Sequence, residues 1–416
     1  MANTLLTIDM ITQEAIMIFR NTNAFMQNIN TEYDGSFGIA GAKIGQTLRL
    51  RLPMDYVVSN GPALSAQDTV EQSTTLTVAT QRHVDLTFSS VEQLMKMDDY
   101  ARRYLLPATN NLAGNVASTI MAGSEGGICN IVAAFDGTPG TGSNIITPTA
   151  TEVLLADAKL ADNSAPMMNH KFVLGPTSMA RLTSSLVGLL NPQQAIGQQY
   201  RDGSVKDALG FTWMRDQTSI NHTTGSFSAG GTVSTAPVDG VTTVAVSAIT
   251  GTLTAGDIIT FTGGVNAVNR VTKASTGVAR QFVITAAAAS GATSISIYPA
   301  LVGPGVGYNS ATGDGGQQYQ TVSALPTTSS VVTLFNKPSE VYRKNIAFAP
   351  EAVTMVTADL EKPPMVESSR KEYDGISLRI LNAYVPGTDY TVTRCDILFG
   401  YLYVRPEWSV ILADAI

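Results

Sequence analysis

The chain has 416 residues and a formal net charge of −7, and its length allows two or three domains, each with its own core. The acidic balance argues against a protein whose main role is to grip nucleic acid, because phosphate binding needs clustered Lys and Arg. The sequence contains no apolar run of about 18 residues and no signal-peptide pattern at its N-terminus, so neither a membrane span nor secretion is predicted. Its two cysteines, Cys129 and Cys395, make no disulfide framework and fit a reducing cytoplasm.

The first predicted elements are a helix and a long two-stranded arm. Apolar residues recur at helical spacing over about residues 8–28, and Asp34-Gly35 ends that stretch. Leucines then alternate with polar residues over residues 47–52, and a second alternating run covers residues 76–88. These runs predict one long two-stranded arm. Because an isolated two-stranded arm is marginal in water, the arm should need a partner surface, which favours oligomerisation.

Helical patterns follow the arm. Residues 91–123 predict a helix with a kink or break at Pro107, and the apolar row of this helix consists of Leu112, Val116 and Ile120. Residues 151–161 predict a further helix, and "HKFVLGP" a buried strand that ends at Gly175-Pro176. The next helix is predicted to be capped by Thr177 or Ser178.

The central part of the chain differs from both flanks in composition. It is rich in Thr, Val, Ser, Ala and Gly, which predicts short strands with tight turns. Only six charged residues lie between Thr223 and Phe335: Asp239, Asp257, Arg270, Lys273, Arg280 and Asp314. We therefore predict a compact all-β module, called the β-module below, over residues 223–330.

The C-terminal part predicts long strands. Residues 343–360 predict a strand or a strand followed by a helix, and residues 376–385 and 393–412 predict two long strands. A turn at residues 385–388 makes these two an antiparallel pair. The second carries apolar residues on both faces, so we expect it to be central in its sheet.

No catalytic pattern stands out. The sequence lacks a Walker-type loop, a His-Glu-x-x-His motif, a Cys-x-x-Cys pair and a Gly-x-Ser-x-Gly elbow. His83, His170 and His222 stand in unrelated segments, and each is predicted to be a satisfied polar residue rather than a metal ligand. Trp213 and Trp408 are predicted to be packing anchors rather than a platform for sugars.

Six phrases, which follow one another in chain order, carry a family likeness: "ANTLLTIDMITQEAI", "NINTEYDGSFGIAGAKIGQTLRLRLP", "DDYARRYLLPATNNLAGNVASTIM", "YRDGSVKDALGFTWMRDQ", "LTAGDIITFTGGVNAVNRVTKASTGVARQFVIT" and "NIAFAPEAVTMVTADLEKPP". Taken together they resemble the major capsid proteins of tailed bacteriophages, in particular coat proteins of the P22 type. The resemblance implies an α+β chain with the Hong Kong 97-like capsid fold and an inserted all-β, barrel-like domain.

The same resemblance implies a division of the chain. The expected parts are an N-terminal arm at 1–35, an extended loop (E-loop) at 36–90, the spine helix and P-domain at 91–150, the first part of the A-domain at 151–222, the inserted β-domain at 223–330, the A-domain return at 331–375 and P-domain strands at 376–416.

The implied function is structural. Subunits would form the hexamers and pentamers of an icosahedral procapsid, built with a scaffolding protein and a portal protein in the bacterial host cytoplasm. The shell would expand as double-stranded DNA is packaged and would touch that DNA only by weak, non-specific contacts. The implied location is the virion, with no enzymatic activity, cofactor, metal or membrane, and decoration proteins are left open.

Charge and placement select candidate subunit-contact residues, for which solvated surface charge is an equal alternative. They are Arg49, Arg51 and Asp55 on the arm, Arg102 and Arg103 on the helix, and Glu367, Arg370, Lys371 and Glu372 in an expected loop.

Two other functions stay open at this point. A β-rich surface adhesin or carbohydrate-binding protein would fit the Thr- and Gly-rich centre, but it would call for a secretion signal and exposed aromatic clusters. A hydrolase with an accessory β-domain would need carboxylates that are distant in sequence to meet in space.

Overall fold

The computed structural model describes residues 8–34, 47–52, 55–58, 61–62, 73–89, 104, 106–138, 143–186, 207–304, 317–364, 366–385, 387 and 390–416. The chain divides into two compact units. Unit 1 contains Met1–Leu52, Ser73–Met121 and Val353–Val404, and unit 2 contains Pro53–Gln72, Ala122–Ala352 and Arg405–Ile416.

The described helices and strands are numbered here in chain order. The helices are α1 (Ile8–Thr22), α2 (Leu106–Ala122), α3 (Ala150–Asp162) and α4 (Pro176–Leu186). The first strands are β1 (Asn30–Asp34), β2 (Thr47–Arg51), β3 (Ser73–Thr77), β4 (Thr80–Ser89), β5 (Ile131–Val132), β6 (Ala134–Phe135), β7 (Ile145–Ile146), β8 (Lys171–Leu174), β9 (Asp207–Ala208), β10 (Phe211–Arg215) and β11 (Asn221–Thr223). The remaining strands are β12 (Val241–Ala245), β13 (Ile258–Phe261), β14 (Asn266–Val268), β15 (Ser275–Ala279), β16 (Phe282–Ile284), β17 (Ser294–Leu301), β18 (Val332–Leu334), β19 (Val341–Phe348), β20 (Val353–Ala358), β21 (Glu367–Tyr373), β22 (Ile376–Val385), β23 (Tyr390–Tyr403) and β24 (Ser409–Ala415).

Unit 1 is built around β23. Its six-stranded sheet has the order β1-β20-β23-β22-β21, and β4 also pairs with β23, from Tyr390 to Phe399. The prediction that this strand is central is confirmed, because β23 has neighbours on both edges and its residues 395–400 are all buried. The antiparallel pairing of β22 with β23 is also confirmed.

The arm is shorter than the sequence predicts. Strands β2 and β3 pair antiparallel, with Leu48 opposite Leu76. The chain then leaves the arm, and β4 runs along β23 instead. This crossing depends on Gly400, because a Cβ atom there would lie 2.4 Å from the carbonyl oxygen of Thr77. One alternating run thus supplies strands to two sheets, since period-2 alternation does not specify the partner strand.

The described part of the arm has a partner surface in its own unit. Leu48 and Leu50 pack against a cluster that contains Leu76, Val78 and Leu398. The arm therefore buries one side within the chain, which removes the argument for oligomerisation from an unsupported arm. Its other side, with Arg49, stays exposed.

Two helices complete unit 1. Helix α1 packs on β21 and β22 and buries Ala15, Ile16 and Phe19. Helix α2 begins at Leu106, so Pro107 lies in the first turn, where its missing N–H costs no helical hydrogen bond. The predicted apolar row is confirmed, since Leu112, Val116 and Ile120 are buried. The predicted helical residues 91–103 lie outside the described residues.

The main sheet of unit 2 has the order β5-β24-β19-β8-β10-β9, with β11 paired to β19. The predicted strand over 393–412 is wrong as a single strand, because a 3-10 turn at Pro406–Trp408 separates β23 in unit 1 from β24 in this sheet. Helix α3 is confirmed and begins with a capping box formed by Thr149 and Glu152.

Helix α4 begins one residue earlier than predicted. Its first residue is Pro176, so Thr177 and Ser178 lie in its first turn and the predicted cap is wrong. Proline suits that first position for the same reason as in α2. The preceding strand β8 is buried, as predicted for "HKFVLGP".

The β-module has its own core. Its five-stranded sheet has the order β12-β17-β16-β13-β18, and β14 and β15 form a separate hairpin. Strand β18 (Val332–Leu334) pairs with β13, so the module extends beyond its predicted end at residue 330. Eighteen buried residues form one apolar cluster, in which the rings of Phe261 and Phe282 meet edge to face with their centroids 5.5 Å apart. Burial of this kind is the main stabilising contribution in folding, so the module does not depend on charges for its core.

Candidate functional site

The two predicted contact arginines of the arm lie on its exposed side. Arg49 and Arg51 occupy exposed positions of β2, and the Arg49 Nε atom donates a hydrogen bond of 2.8 Å to Ser73 Oγ on β3. Hydrogen bonds of this kind across an exposed strand pair add little to stability. Both cationic groups lie on the side of the arm opposite its apolar residues. That side is exposed and is accessible to a second molecule.

Asp55 has a partner within its own chain. Its carboxylate accepts a hydrogen bond of 2.7 Å from Arg270, which lies in the turn between β14 and β15. Arg270 also donates to Glu407 at 2.7 Å, and Arg405 lies 3.3 Å from the same Glu407 oxygen. Burial opposes the charged form of Glu407, but the charges of Arg270 and Arg405 and the hydrogen bonds to its carboxylate together outweigh burial, so the pKa of Glu407 is lowered. The ion-pair chain joins three distant segments of unit 2.

The charged group at 367–372 is not in a loop, so that prediction is wrong. It lies on β21, the last strand of the unit 1 sheet. Arg370 pairs with Asp359 at 2.9 Å and also donates to the carbonyl oxygen of Leu360. Glu372 accepts a hydrogen bond of 3.1 Å from the backbone N–H of Gly375. Charged residues on an edge strand discourage unwanted strand pairing, a role that a loop would not require.

The remaining predicted contact residues lie on β21 or outside the described part of the chain. Arg102 and Arg103 lie outside the described residues. Glu367 is exposed at the start of β21, and Lys371 is half-buried there.

The first polar cluster at the root of the β-module surrounds His222. The His222 ring lies 2.8 Å from Asp257 through Nε2 and 3.3 Å from Glu125 through Nδ1. Lys344, on the neighbouring strand β19, lies 3.6 Å from Glu125 and is fully buried. Burial lowers the pKa of Lys344 to about 8. The cluster joins the β-module to β11, β19 and the 3-10 turn at Gly123–Glu125.

A second polar cluster lies around Gln281, between β15 and β16. Its amide exchanges hydrogen bonds of 3.0 and 3.1 Å with the backbone of Ile131 on β5, as an added strand would. The Lys159 ammonium donates to the Ile131 carbonyl at 2.7 Å and to Gln281. Burial lowers the pKa of Lys159 to about 7. The module is thus hydrogen-bonded to the sheet of unit 2.

Sequence reasoning missed both clusters. Lys159 has an ordinary position on an amphipathic helix, and His222 was assigned only a generic polar role, which its two carboxylate partners confirm. The signal that could have found them is the scarcity of charge in the module, because a few charged residues in an apolar segment need partners. Asp257, Arg270 and Arg280 are three of those few.

The described residues offer no catalytic or metal-binding arrangement. No group of three or more His, Cys, Asp or Glu residues is placed to hold a metal ion in the described ranges. Burial raises the pKa of both thiols, that of Cys395 to about 12, which disfavours the reactive thiolate. Trp213 is buried, and both Trp213 and Trp408 donate hydrogen bonds to backbone carbonyls, so their role in packing is confirmed.

None of the described helices is both long enough and apolar enough to cross a membrane. The fold is α+β, and polar contacts hold an all-β module on the larger sheet of unit 2. Residues 56–412 match the family described as P22 coat protein, gene protein 5. The chain belongs to that family and is a tailed-bacteriophage major capsid protein, not an enzyme.

The chain is also similar, at low sequence identity, to several solved structures. A structure of Mycobacterium phage Che8 is 10% identical, with a TM-score of 0.44 over 94% of this chain and 90% of that one. The capsid of cyanophage P-SCSP1u is 11% identical, with a TM-score of 0.44 over 94% and 89%. A virus-like particle from Pyrococcus furiosus is 8% identical, with a TM-score of 0.40 over 97% of both chains. None of the curated proteins matches the sequence.

Proposed function

We propose that this coat protein assembles with copies of itself into an icosahedral procapsid of hexamers and pentamers, around a separate scaffolding protein. The shell then expands as double-stranded DNA is packaged through a portal. The observation that carries the proposal is the family match over residues 56–412. The net charge of −7 supports it, because a strongly basic inner wall would hold the genome too tightly for packaging and release.

The parts of the chain take the roles that the Hong Kong 97-like fold assigns to them. The pair β2–β3 is the base of the extended loop, α2 belongs to the spine helix, and the unit 1 sheet serves as the P-domain. The sheet of unit 2 serves as the A-domain, and the β-module is the inserted, barrel-like domain. This division differs from the expected bounds, because β20 and β21 leave the expected A-domain return (331–375) for the P-domain sheet, and β24 leaves the expected P-domain strands (376–416) for the A-domain sheet. The isolated bridge between Thr232 and Val331 supports the barrel, since it links the start of the module to its end.

The exposed side of the arm is the proposed contact with a neighbouring subunit. Arg49 and Arg51 point away from the apolar side that packs within unit 1. Shells use repeated heterologous contacts, in which one surface meets a different surface of the next copy. Each contact can be weak, because every subunit makes several at once.

Electron microscopy of the chain expressed alone and with a scaffolding protein tests the proposal. We expect closed shells of uniform size with the scaffold, and open sheets, tubes or irregular shells without it. A chain that stays monomeric in both cases would contradict shell assembly. Uniform shells from the chain alone would contradict only the separate scaffold.

A further inference from the structure

The ring of His222 has an acidic partner on each side. Nε2 lies 2.8 Å from an oxygen of Asp257, and Nδ1 lies 3.3 Å from an oxygen of Glu125. The His222 and Asp257 side chains are 4% and 0% exposed, and Glu125 is 38% exposed. The ring therefore bridges a carboxylate of the β-module and one outside it, with little access to water.

This geometry specifies the charge of the ring. An ionised carboxylate only accepts hydrogen bonds, so a nitrogen that bonds to it must carry a hydrogen. A neutral imidazole has a single N–H and could satisfy one of the two carboxylates. Both contacts exist together only when His222 is the imidazolium, and loss of its proton turns one of them into a repulsive contact between a lone pair and a carboxylate.

Asp257 connects the protonation state of His222 to the loops of the β-module. Its carboxylate accepts hydrogen bonds from the backbone N–H of Thr254 at 2.7 Å, from the Thr254 hydroxyl at 2.9 Å and from the backbone N–H of Gly225 at 3.1 Å. Gly225 lies near the first residue of the module and Thr254 lies in the loop before β13. The carboxylate that faces His222 therefore also holds the chain where it enters the module.

Two other titratable groups face the ring, both from β19. The ring of Tyr342 meets it edge to face at 5.4 Å. The Lys344 ammonium is buried, 3.6 Å from Glu125, and has no hydrogen-bond partner among the described residues. His222 and Lys344 thus share the carboxylates of Asp257 and Glu125. The positive and negative charges of the cluster are equal only while His222 is protonated.

We propose that attachment of the β-module to the unit 2 sheet is proton-linked, with protonated His222 as the link between Glu125 and Asp257. The link holds the module while His222 is protonated and both carboxylates are ionised, and it loosens as the pH rises through the folded pKa of His222. It operates within one chain, so its test is independent of shell formation.

The pH range follows from the direction of each shift. Burial opposes the charge on His222, but the hydrogen bonds that its ring donates to Asp257 and Glu125 together outweigh burial and raise the pKa. The stabilising contribution is therefore complete below the ordinary value of about 6.5 and is lost as the pH rises through the folded value. Lys344 acts in the opposite direction, because its burial costs less as it loses its proton near a pKa of about 8. The effect of His222 on stability is therefore clearest between about pH 6.5 and about pH 8, before Lys344 loses its proton.

Amide hydrogen exchange of the full-length chain before assembly tests the link. Protection in peptides containing Gly225 and Thr254, corrected for the intrinsic exchange rate at each pH, should fall by at least about threefold between pH 6.5 and 8. In the His222→Gln variant, protection at pH 6.5 should already be low and should not change over this range. A matched control is His170→Gln, which removes a histidine that is equally buried but has a carboxylate, Asp157, on one ring nitrogen only. This variant should keep the pH dependence.

Protection that is independent of pH in the wild type, or a dependence that persists in His222→Gln, would overturn the proposal. If His222→Gln does not fold, the titration of His222 can be measured in the wild-type protein. Hydrogen–deuterium exchange at the ring C2 position, detected by mass spectrometry, reports this titration. The titration midpoint of His222 should lie above about 6.5 and coincide with the loss of amide protection. A midpoint at or below that value would refute the link.

Discussion

The arm and the β-module are two β-structures that the same chain stabilises in different ways. The module encloses a core with fully buried residues such as Phe282, and its few charged groups are used at its attachment to the rest of unit 2. The arm has only one apolar side, which rests on the sheet of unit 1, and it leaves Arg49 and Arg51 exposed. The module can therefore tolerate changes at its surface, whereas the arm has a whole side available for another subunit.

The largest expected effect comes from emptying the core of the module. Phe282→Ala removes a fully buried ring and should lower the free energy of unfolding of the module by about 3–5 kcal/mol. Val278→Ala, at a residue that is 59% exposed on β15, should change it by less than about 0.5 kcal/mol. Urea denaturation of the two variants measures both values. Equal losses would show that the module has no independent core.

A smaller effect should come from the ion-pair chain that holds the hairpin β14–β15. Arg270→Met removes hydrogen bonds to Asp55 and Glu407 and should cost about 1.5–3 kcal/mol. Arg49→Met removes an exposed hydrogen bond on the arm and should cost less than about 0.5 kcal/mol. Chemical denaturation compares the two. A loss for Arg270→Met no larger than that for Arg49→Met would mean that the ion-pair chain does not hold the hairpin.

The arm should respond in the opposite way, with little change in stability and a large change in assembly. Arg51→Glu should leave the free energy of unfolding within about 0.5 kcal/mol of the wild type, because the side chain is exposed. Shell formation should fail or give aberrant particles, since the reversed charge meets the neighbouring subunit. Light scattering and electron microscopy follow assembly, with Arg51→Lys as the control that keeps the charge. Normal particles from Arg51→Glu would remove the main support for the arm contact.

The smallest effect should appear in acid. Because the pKa of Glu407 is lowered in the folded chain, its contribution to stability is present above the ordinary value of about 4.3 and is lost as the pH falls through the folded value. Glu407→Gln should therefore flatten the pH dependence of stability below that value, as measured by denaturation from pH 5 to pH 3. A wild-type curve with the same slope as that of the variant would show that Glu407 does not titrate with unfolding.

Most of the local structure could be predicted from the sequence. The apolar row Leu112, Val116 and Ile120 and the buried strand β8 both appear where the pattern indicates them. These features depend on side-chain spacing and backbone geometry within a few residues, which a sequence displays directly. The low charge of the β-module indicated its separate core for the same reason, because an apolar segment of that length must bury its own surface.

The candidate site was less predictable. Arg49 and Arg51 were predicted as contact residues because they carry charge within an alternating strand pattern, and Asp55 was predicted together with them. Its partner, Arg270, lies 215 residues away in the chain. His222 and Asp257 likewise carry no local motif that distinguishes a bridging imidazolium from an ordinary polar residue.

The sequence by itself determined most of the helices and strands, though not strand β21, as well as the family resemblance and the approximate position of the β-module. Tertiary structure alone decided where the run at 76–88 and the run at 393–412 divide between different sheets, and which carboxylates face His222 and Arg270. The physical reason is that alternation states only which side chains need burial and leaves the neighbouring strand unspecified. The partner of a buried charge likewise depends on which distant segments fold together. An unpaired buried charge costs free energy, but this cost selects a partner only after the chain has become compact.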